Sequence, residues 1–441
     1  MGTIAAKTRS EEIAERSARH IAGGVVSLNR KVNPSIVFEK ARGSKLYDSE
    51  GKEYIDYHAA FAPFILGHNF KPVNDAAIEA LSNGWSLMGS GTTLWESKLS
   101  ELLCAIVPSL ELIQITNTGS EATAHAIRLS RAFTGRDDII VTLGGYNGWH
   151  NEVARSVMPT IEQIGPFVRA GEYPFYSMSA GIPEDTMKRV HVVNFNDLES
   201  IEYVMRKYPI ACVITEPALQ NIGVVKPLPG YLSGLIKLCE QYGAVSIFDE
   251  VKTGFRTGLG GYQGYAGVSP DLSVFGKAVA NGFPLGVIGG KREIMSLFDD
   301  PHPQKRVLIA GTYNAHPVNS AAAIATLEFL RNPEVYKKID RVSNSLYCGL
   351  TDLFNEKGKP FVLVNNASAF CTYFCESEPH NLHDILNSHD FEFDIKFRLE
   401  LIKHGIYHIP LPCKQGSVSY SHSDEDIQRT LETTRSVLKG I

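Results

Sequence analysis

The sequence predicts an α/β fold in which a mostly parallel central sheet is covered by helices on both faces. Two observations lead to this prediction. Short apolar runs alternate with amphipathic segments through the middle of the chain, which is typical of strands joined by crossover helices. Two of the apolar runs end in charged residues, Asp249 after Ala244–Phe248 and Lys277 after Leu272–Gly276. In such sheets, binding sites form at the carboxyl ends of the strands.

The elements follow in chain order from periodicity and from breaking residues. An amphipathic helix is predicted over Glu11–Ala22, where Gly23-Gly24 ends it, and a β-meander over Val37–Tyr57. From about Phe70 the pattern changes to alternating helices and strands. The strands are predicted at Asp138–Leu143, His191–Phe195, Ala211–Glu216, Ala244–Asp249 and Leu272–Gly276, and the helices at Glu121–Phe133, Leu198–Lys207, Tyr231–Tyr242, Val318–Leu330 and Asp424–Leu438.

Composition excludes several classes of partner. The net charge of −5 gives no basic surface for nucleic acid. No apolar run approaches the length that spans a membrane, and the charged N-terminus lacks the apolar region of a signal peptide. The seven cysteines are scattered without a C-x-x-C pair, which indicates reduced thiols. We therefore expect a cytoplasmic protein with no nucleic-acid or membrane partner and no metal site.

The charged strand ends indicate a particular cofactor. A lysine and an acid placed in this way suit pyridoxal 5′-phosphate (PLP), because the lysine can form a Schiff base and the acid can hold the pyridinium nitrogen. Lys277 and Asp249 are therefore the candidate catalytic residues. Val251 lies two residues after Asp249 and faces the same side of the chain, where it would pack on the ring.

A phosphate site is predicted at Asn117–Thr123 (NTGSEAT), which follows an apolar run and opens a helix. The first turn of a helix offers unpaired N–H groups and a positive dipole end to an anion. Gly119 lets the backbone come close, and Ser120 adds a hydroxyl. An ordinary helix cap is the alternative reading of this segment.

The segment Ile247–Met295 and the NTGSEA loop closely resemble the class III, fold-type I aminotransferases. Within that family they look most like glutamate-1-semialdehyde aminomutase and its amino-acid aminotransferase relatives. The resemblance covers residues from about 20 to 438. It implies a fold-type I PLP-transferase with a large domain over residues 70–317, a small α/β domain over 318–441, and an N-terminal segment, residues 1–69, that joins the small domain.

The resemblance also implies further cofactor contacts. Tyr146 takes the position of the aromatic residue that stacks on the pyridine face. Asn221 takes that of an asparagine near the phenolic oxygen of the cofactor. Gly311-Thr312 matches a segment that reaches the phosphate bound by the neighbouring subunit. A homodimer with shared active sites is therefore expected.

Substrate recognition is implied by two segments. Gly23–Arg30 (GGVVSLNR) resembles the aminomutase's GGVNSPVR, whose arginine binds the substrate carboxylate, so Arg30 is the candidate for that role and Ser27 a second one. Lys414 stands where the aminomutase has a glutamate that tunes its cofactor cycle, and the mobile lid of the aminomutase has no counterpart in 151–185. Both departures argue against the mutase reaction.

The predicted function is transfer of an amino group between a small carboxylate-bearing α- or β-amino acid and a 2-oxo acid. An aminomutase acting through the same site is the first alternative. A non-catalytic PLP-fold binding protein is the second, and retention of Lys277 and Asp249 argues against it. The sequence does not name the amino donor.

Overall fold

A computed structural model describes residues 7–84 and 91–441. In these ranges the strands form one sheet of seven strands, one of four and one of three. The strands are β1 Phe38–Arg42, β2 Lys45–Asp48, β3 Glu53–Asp56, β4 Leu112–Thr116, β5 Asp138–Thr142, β6 Val190–Val193, β7 Ile210–Thr215, β8 Val245–Glu250, β9 Leu272–Phe275, β10 Gly286–Gly290, β11 Val362–Asn366, β12 Ala369–Tyr373, β13 Ile406–Tyr407 and β14 Gly416–Ser417.

The helices cover the faces of these sheets. The α-helices are α1 Arg9–Ala18, α2 Lys71–Ser82, α3 Leu94–Ile106, α4 Gly119–Thr134, α5 Ile161–Ile164, α6 Glu184–Lys188, α7 Leu198–Lys207, α8 Tyr231–Tyr242, α9 Gly261–Ala266, α10 Arg292–Met295, α11 Pro317–Leu330, α12 Pro333–Lys357, α13 Leu382–Ser388, α14 Phe391–Lys403 and α15 Asp424–Gly440. Short 3-10 turns lie at Ala22–Gly24, Leu28–Arg30, Lys277–Ala280 and Ser296–Asp299. Within the described ranges, no helix combines the length and apolar character that crossing a bilayer requires.

The seven-stranded sheet is mostly parallel, as predicted. Its order is β4-β10-β9-β8-β7-β5-β6, and β10 runs antiparallel to both of its neighbours. The central strands β7 and β8 are buried along their whole length, which is typical of strands covered on both faces. The carboxyl ends of β5, β7, β8 and β9 consequently meet at one edge of the sheet.

The two ends of the chain pack together. β13 completes the N-terminal sheet by pairing in parallel with β3, with Ile406 opposite Ile55. Tyr57 lies in one core with residues of α12, α14 and α15. The domain boundaries after residues 69 and 317 stay a prediction.

The structure adds elements that the sequence patterns did not reveal. The strand β10 is the clearest case, because its sequence Gly-Val-Ile-Gly-Gly is poor in the residues that favour strands. Its glycines are required by packing. A Cβ on Gly290 would clash with the Asp271 carbonyl oxygen, and one on Gly286 with the Thr118 carbonyl oxygen. The predicted first helix, Glu11–Ala22, is also shorter than expected, because it ends at Ala18.

Candidate active site

A cavity of about 670 Å³ opens at the carboxyl edge of the central sheet. Its walls come from the segments after β5, β7, β8 and β9, from the start of α4, and from segments near both ends of the chain. The sequence-predicted site residues that line it are Arg30, Gly119, Ser120, Tyr146, Asn221, Asp249, Val251, Lys277 and Lys414. Residues separated by hundreds of positions are thus brought together in one cavity.

Three predicted residues do not line this cavity in the described part of the chain: Ser27, Gly311 and Thr312. Ser27 precedes the turn Leu28–Arg30, and that turn carries Arg30 rather than Ser27 to the cavity. The structure therefore does not bring Ser27 to the substrate position expected for it.

Gly311 and Thr312 lie on an exposed loop. This loop borders the start of α4, because Asn117 Nδ2 donates a 3.0 Å hydrogen bond to Asn314 Oδ1. Thr312 itself stays outside the cavity of its own chain. Its contact with a neighbouring subunit's cofactor remains a prediction.

Asp249 is buried near the end of β8. Its Oδ2 accepts a 2.8 Å hydrogen bond from Asn147 Nδ2, and its Oδ1 accepts one of 3.1 Å from the backbone N–H of Val251. Burial and the neighbouring Glu216 carboxylate raise the pKa of Asp249 to about 7, against the opposing effect of Asn147. A cationic group beside Asp249 would keep this carboxylate ionised.

Lys277 follows β9 and opens a 3-10 turn. Its φ of 47° lies in the left-handed region, which non-glycine residues rarely adopt and which often marks functional sites. Burial lowers the pKa of the Lys277 amine, while Asp249 and Glu216 oppose that effect. The lowered pKa increases the fraction of neutral, nucleophilic amine.

The first turn of α4 forms an anion cradle. Thr118 caps the helix, since its Oγ1 accepts a 3.2 Å hydrogen bond from the Glu121 N–H. The N–H groups of Gly119 and Ser120 keep no protein partner among the described residues, as expected for a first helical turn. A Cβ on Gly119 would lie 2.7 Å from Val251 Cγ2, so only glycine allows the backbone this close to Val251.

Glu216 binds several residues of the cavity wall beside Asp249. It is buried just after β7. Its Oε1 accepts 2.9 Å hydrogen bonds from the Tyr146 N–H and from Asn221 Nδ2, and its Oε2 accepts one of 3.1 Å from the Gln220 N–H. Tyr146 and Asn221 are therefore held in place by the same carboxylate.

Lys414 is positioned by a buried ion pair on α14. Asp394 accepts a 2.6 Å hydrogen bond from Arg398 Nε and one of 2.7 Å from the Cys413 N–H. Arg398 Nη2 donates to the Lys414 carbonyl oxygen at 3.1 Å. The Lys414 ammonium then donates to the Asn221 carbonyl oxygen at 2.9 Å.

Other residues that line the cavity were missed from sequence. Asn147 holds Asp249, Lys252 lies beside Val251, and His58 comes from the N-terminal segment. Burial lowers the pKa of His58 to about 4. Asn147 directly follows Tyr146, and Lys252 directly follows Val251. Position next to a predicted site residue is the sequence feature that could have identified both. His58 carried no comparable signal.

Comparison with known proteins identifies the family. The class-III aminotransferase family model matches residues 26–428. The chain belongs to this family. Glutamate-1-semialdehyde 2,1-aminomutase 1 of Lachnoclostridium phytofermentans is 36% identical over 441 residues, which cover 98% of this chain and 100% of the relative.

Solved structures agree with this assignment. An omega-transaminase from Sphaerobacter thermophilus superposes with a TM-score of 0.90 at 28% identity, over 98% of this chain and 97% of the other. A transaminase with PLP bound gives a TM-score of 0.85 at 25% identity, over 98% of both chains. This class-III aminotransferase is thus a PLP-dependent enzyme of fold type I, as the sequence predicted.

The cavity of this class-III aminotransferase fits PLP. The free N–H groups of Gly119 and Ser120 suit the phosphate. Val251 lies close to Gly119 and would offer an apolar surface to the ring. Asp249, whose pKa burial raises, suits a cationic pyridinium nitrogen, and Lys277 lies in the same cavity. The residues that would hold the cofactor here are among those expected from sequence, and their roles stay a prediction.

Proposed function

We propose that this enzyme transfers an amino group between a small carboxylate-bearing α- or β-amino acid and a 2-oxo acid, which bind the same cavity in turn. One observation carries the proposal. The cavity that contains Lys277 and Asp249 is also lined by Arg30, whose side chain forms no hydrogen bond or ion pair among the described residues. An unpaired guanidinium at the cavity suits a carboxylate.

Lys277 has two roles in the proposed reaction. Its Nζ would hold the cofactor covalently, and as a free amine it would move the proton at the substrate carbon as general base and acid. When bound, PLP supplies an electron sink that stabilises negative charge at that carbon. Burial of Lys277 supports both roles, because the lowered pKa of its amine favours the neutral base.

Asp249 is proposed to keep the pyridine nitrogen protonated. Asn147 and the Val251 N–H orient its two oxygens, so the carboxylate is fixed before the cofactor arrives. In our proposal, Tyr146 and Val251 lie on opposite faces of the pyridine ring. Asn221 lies near the phenolic oxygen of the cofactor. Arg30 holds the substrate carboxylate.

The active unit is proposed to be a homodimer with shared sites. Support comes from the exposed loop of Gly311 and Thr312. Asn314 of this loop accepts a hydrogen bond from Asn117, just before the start of α4. Two-fold dimers are also the commonest oligomers. Light scattering at assay concentration tests this, because a fully active monomer would contradict it.

The aminomutase is the second candidate function, and the 36% identity to a glutamate-1-semialdehyde aminomutase favours it. Lys414 argues against it, because a half-buried lysine lines the cavity where the aminomutase pattern has an acid. A mutase needs no external amino acceptor, whereas a transaminase stops after one half-reaction without one.

The deciding experiment mixes the PLP form of the enzyme with a panel of α-amino acids, β-amino acids and glutamate-1-semialdehyde, without an acceptor. We expect stoichiometric conversion to the pyridoxamine form by at least one amino acid, and turnover only after a 2-oxo acid is added. Multiple turnovers of glutamate-1-semialdehyde without acceptor would instead identify a mutase. No reaction with any amino acid would contradict the proposal.

A further inference from the structure

Two lysines besides Lys277 line the cavity, the buried Lys252 and the half-buried Lys414. Lys252 follows β8, whereas Lys414 comes from the loop before β14. Their ammonium groups donate to neighbouring peptide carbonyls. Lys252 Nζ bonds the Gln220 oxygen at 2.6 Å, and Lys414 Nζ bonds the Asn221 oxygen at 2.9 Å. Two distant segments thus direct two lysine side chains at consecutive peptide carbonyls.

Neither lysine uses all of its hydrogen-bond donors within the described protein. An ammonium has three N–H donors, and each lysine makes one hydrogen bond and no ion pair among the described residues. The nearby carboxylate of Glu216 is already occupied by Tyr146, Asn221 and Gln220. Glu216 therefore offsets part of the positive charge without accepting from either lysine.

The protein offsets the repulsion between these two lysines only in part. Burial lowers the pKa of Lys252, and the charges of Lys277 and Lys414 lower it further, while Glu216 opposes them. Burial also lowers the pKa of Lys414. Buried like charges are costly unless an anion joins them. A carboxylate between the two ammonium groups would fill their unused donors and remove the repulsion.

The cofactor does not account for this pair in the proposed arrangement. Its phosphate is assigned to the start of α4, its ring nitrogen to Asp249 and its aldehyde carbon to Lys277. Arg30, on the N-terminal segment, is assigned to one substrate carboxylate. Lys252 and Lys414 remain as a second cationic site in the same cavity.

We propose that Lys252 and Lys414 together bind the second carboxylate of a dicarboxylic amino acid or dicarboxylic 2-oxo acid. This inference rests on the proposed function and narrows its substrate class. It assigns Lys252 as a specificity residue. Lys252 lines the cavity and directly follows Val251, which lies against Gly119 at the start of α4.

Equilibrium binding to the PLP-loaded enzyme tests this without turnover. Glutarate and pentanoate are compared by calorimetry, because they match in chain length and differ by one carboxylate. Wild-type enzyme should bind glutarate more tightly. Lys252→Met and Lys414→Met should each weaken glutarate by about 10- to 100-fold, the range for a charged hydrogen bond, and pentanoate by less than about threefold. Lys188→Met, a change on the exposed helix α6, should alter neither affinity.

The outcomes separate the two proposals. Equal wild-type affinity for glutarate and pentanoate would overturn the site, and this result needs no variant to fold. Equal losses for both acids in the lysine variants, together with a changed visible spectrum, would assign the pair to the cofactor and also overturn it. Glutarate selectivity that depends on both lysines, in an enzyme that no amino acid converts, would support the anion site while contradicting the proposed transaminase.

Discussion

Asn147 Nδ2 donates a 2.8 Å hydrogen bond to Asp249 Oδ2, linking residues 102 positions apart. Asn147 is buried, and its Oδ1 lies 3.5 Å from Arg155 Nη2. The bond opposes the rise in the pKa of Asp249 that burial and Glu216 cause. Asn147 therefore helps to hold the carboxylate in the form that a cationic ring nitrogen requires.

Loss of this bond should weaken PLP binding. Asn147→Ala should raise the dissociation constant of PLP by about tenfold, because a hydrogen bond to a charged group is worth roughly 1.5–3 kcal/mol and part of it is replaced by water. Asn147→Asp should be worse, since a second carboxylate would raise the pKa of Asp249 further. Fluorescence titration of the apoprotein with PLP measures both. Wild-type affinity in Asn147→Asp would contradict the assigned role.

Lys277→Ala should abolish the visible absorbance of covalently bound cofactor and nearly all turnover. The reason is that no other lysine occupies the end of β9. Borohydride reduction followed by peptide mass mapping should label Lys277 in the wild-type enzyme alone. Labelling of Lys252 in the variant would show that the neighbouring lysine can replace it, and would contradict the expected loss.

Sequence patterns predicted the site residues whose positions are marked within a single segment of the chain. Asp249 and Lys277 each end an apolar run, and Gly119 opens a helix, so each pattern lies within one segment. Asn147 and Lys252 were missed because their roles depend on tertiary contacts. Nothing local to Lys252 says that its ammonium is buried against the Gln220 carbonyl.

The same limit applies to the fold. Alternating apolar runs predicted β5 to β9, because strands buried on both faces are continuously apolar. The strand β10 was missed because its glycines are required by the close approach of neighbouring backbone segments, as at Gly290 against the Asp271 oxygen. That requirement is not visible in the sequence of β10 itself.

Gly119→Ala should weaken PLP binding by crowding the cradle. Its new Cβ would lie 2.7 Å from Val251 Cγ2, so Val251 or the helix start must move. We expect at least a tenfold loss of PLP affinity, comparable to overpacking costs of 1–3 kcal/mol. Adding Val251→Ala should restore part of it. Gly91→Ala, where nothing lies within 4 Å, is the matched control. A Gly119→Ala enzyme with normal affinity would show that the cradle is not tight.

His422 should make the protein acid-labile. Burial lowers its pKa from 6.5 to about 4, and its Nδ1 accepts a 3.0 Å hydrogen bond from the Ser419 N–H. Between pH 6.5 and 4 the unfolded chain binds a proton here that the folded chain does not. The free energy of unfolding should therefore fall as pH drops through this window, by up to about 1.4 kcal/mol per pH unit. His422→Asn should flatten this slope in urea unfolding between pH 4 and 6.5, and an unchanged slope would contradict the assignment.

Arg30 should act on the substrate and spare the cofactor. If it binds the substrate carboxylate, Arg30→Ala should lower kcat/KM for an amino acid by roughly 10- to 100-fold, the worth of a charged hydrogen bond of about 1.5–3 kcal/mol. The decarboxylated amine should be little affected, because it never makes the contact. Arg30→Lys should recover only part of the loss, since a point charge replaces a planar fork.

The paired substrates make the Arg30 test specific. A structural role for Arg30 would lower kcat/KM for the amino acid and for its decarboxylated amine by the same factor, and would also alter PLP affinity. A carboxylate anchor changes their ratio and leaves the visible spectrum unchanged. Equal losses of kcat/KM for the two substrates would therefore show that Arg30 does not bind the substrate carboxylate. Lys414 would then become the stronger candidate, because its ammonium already lines the cavity with unused donors.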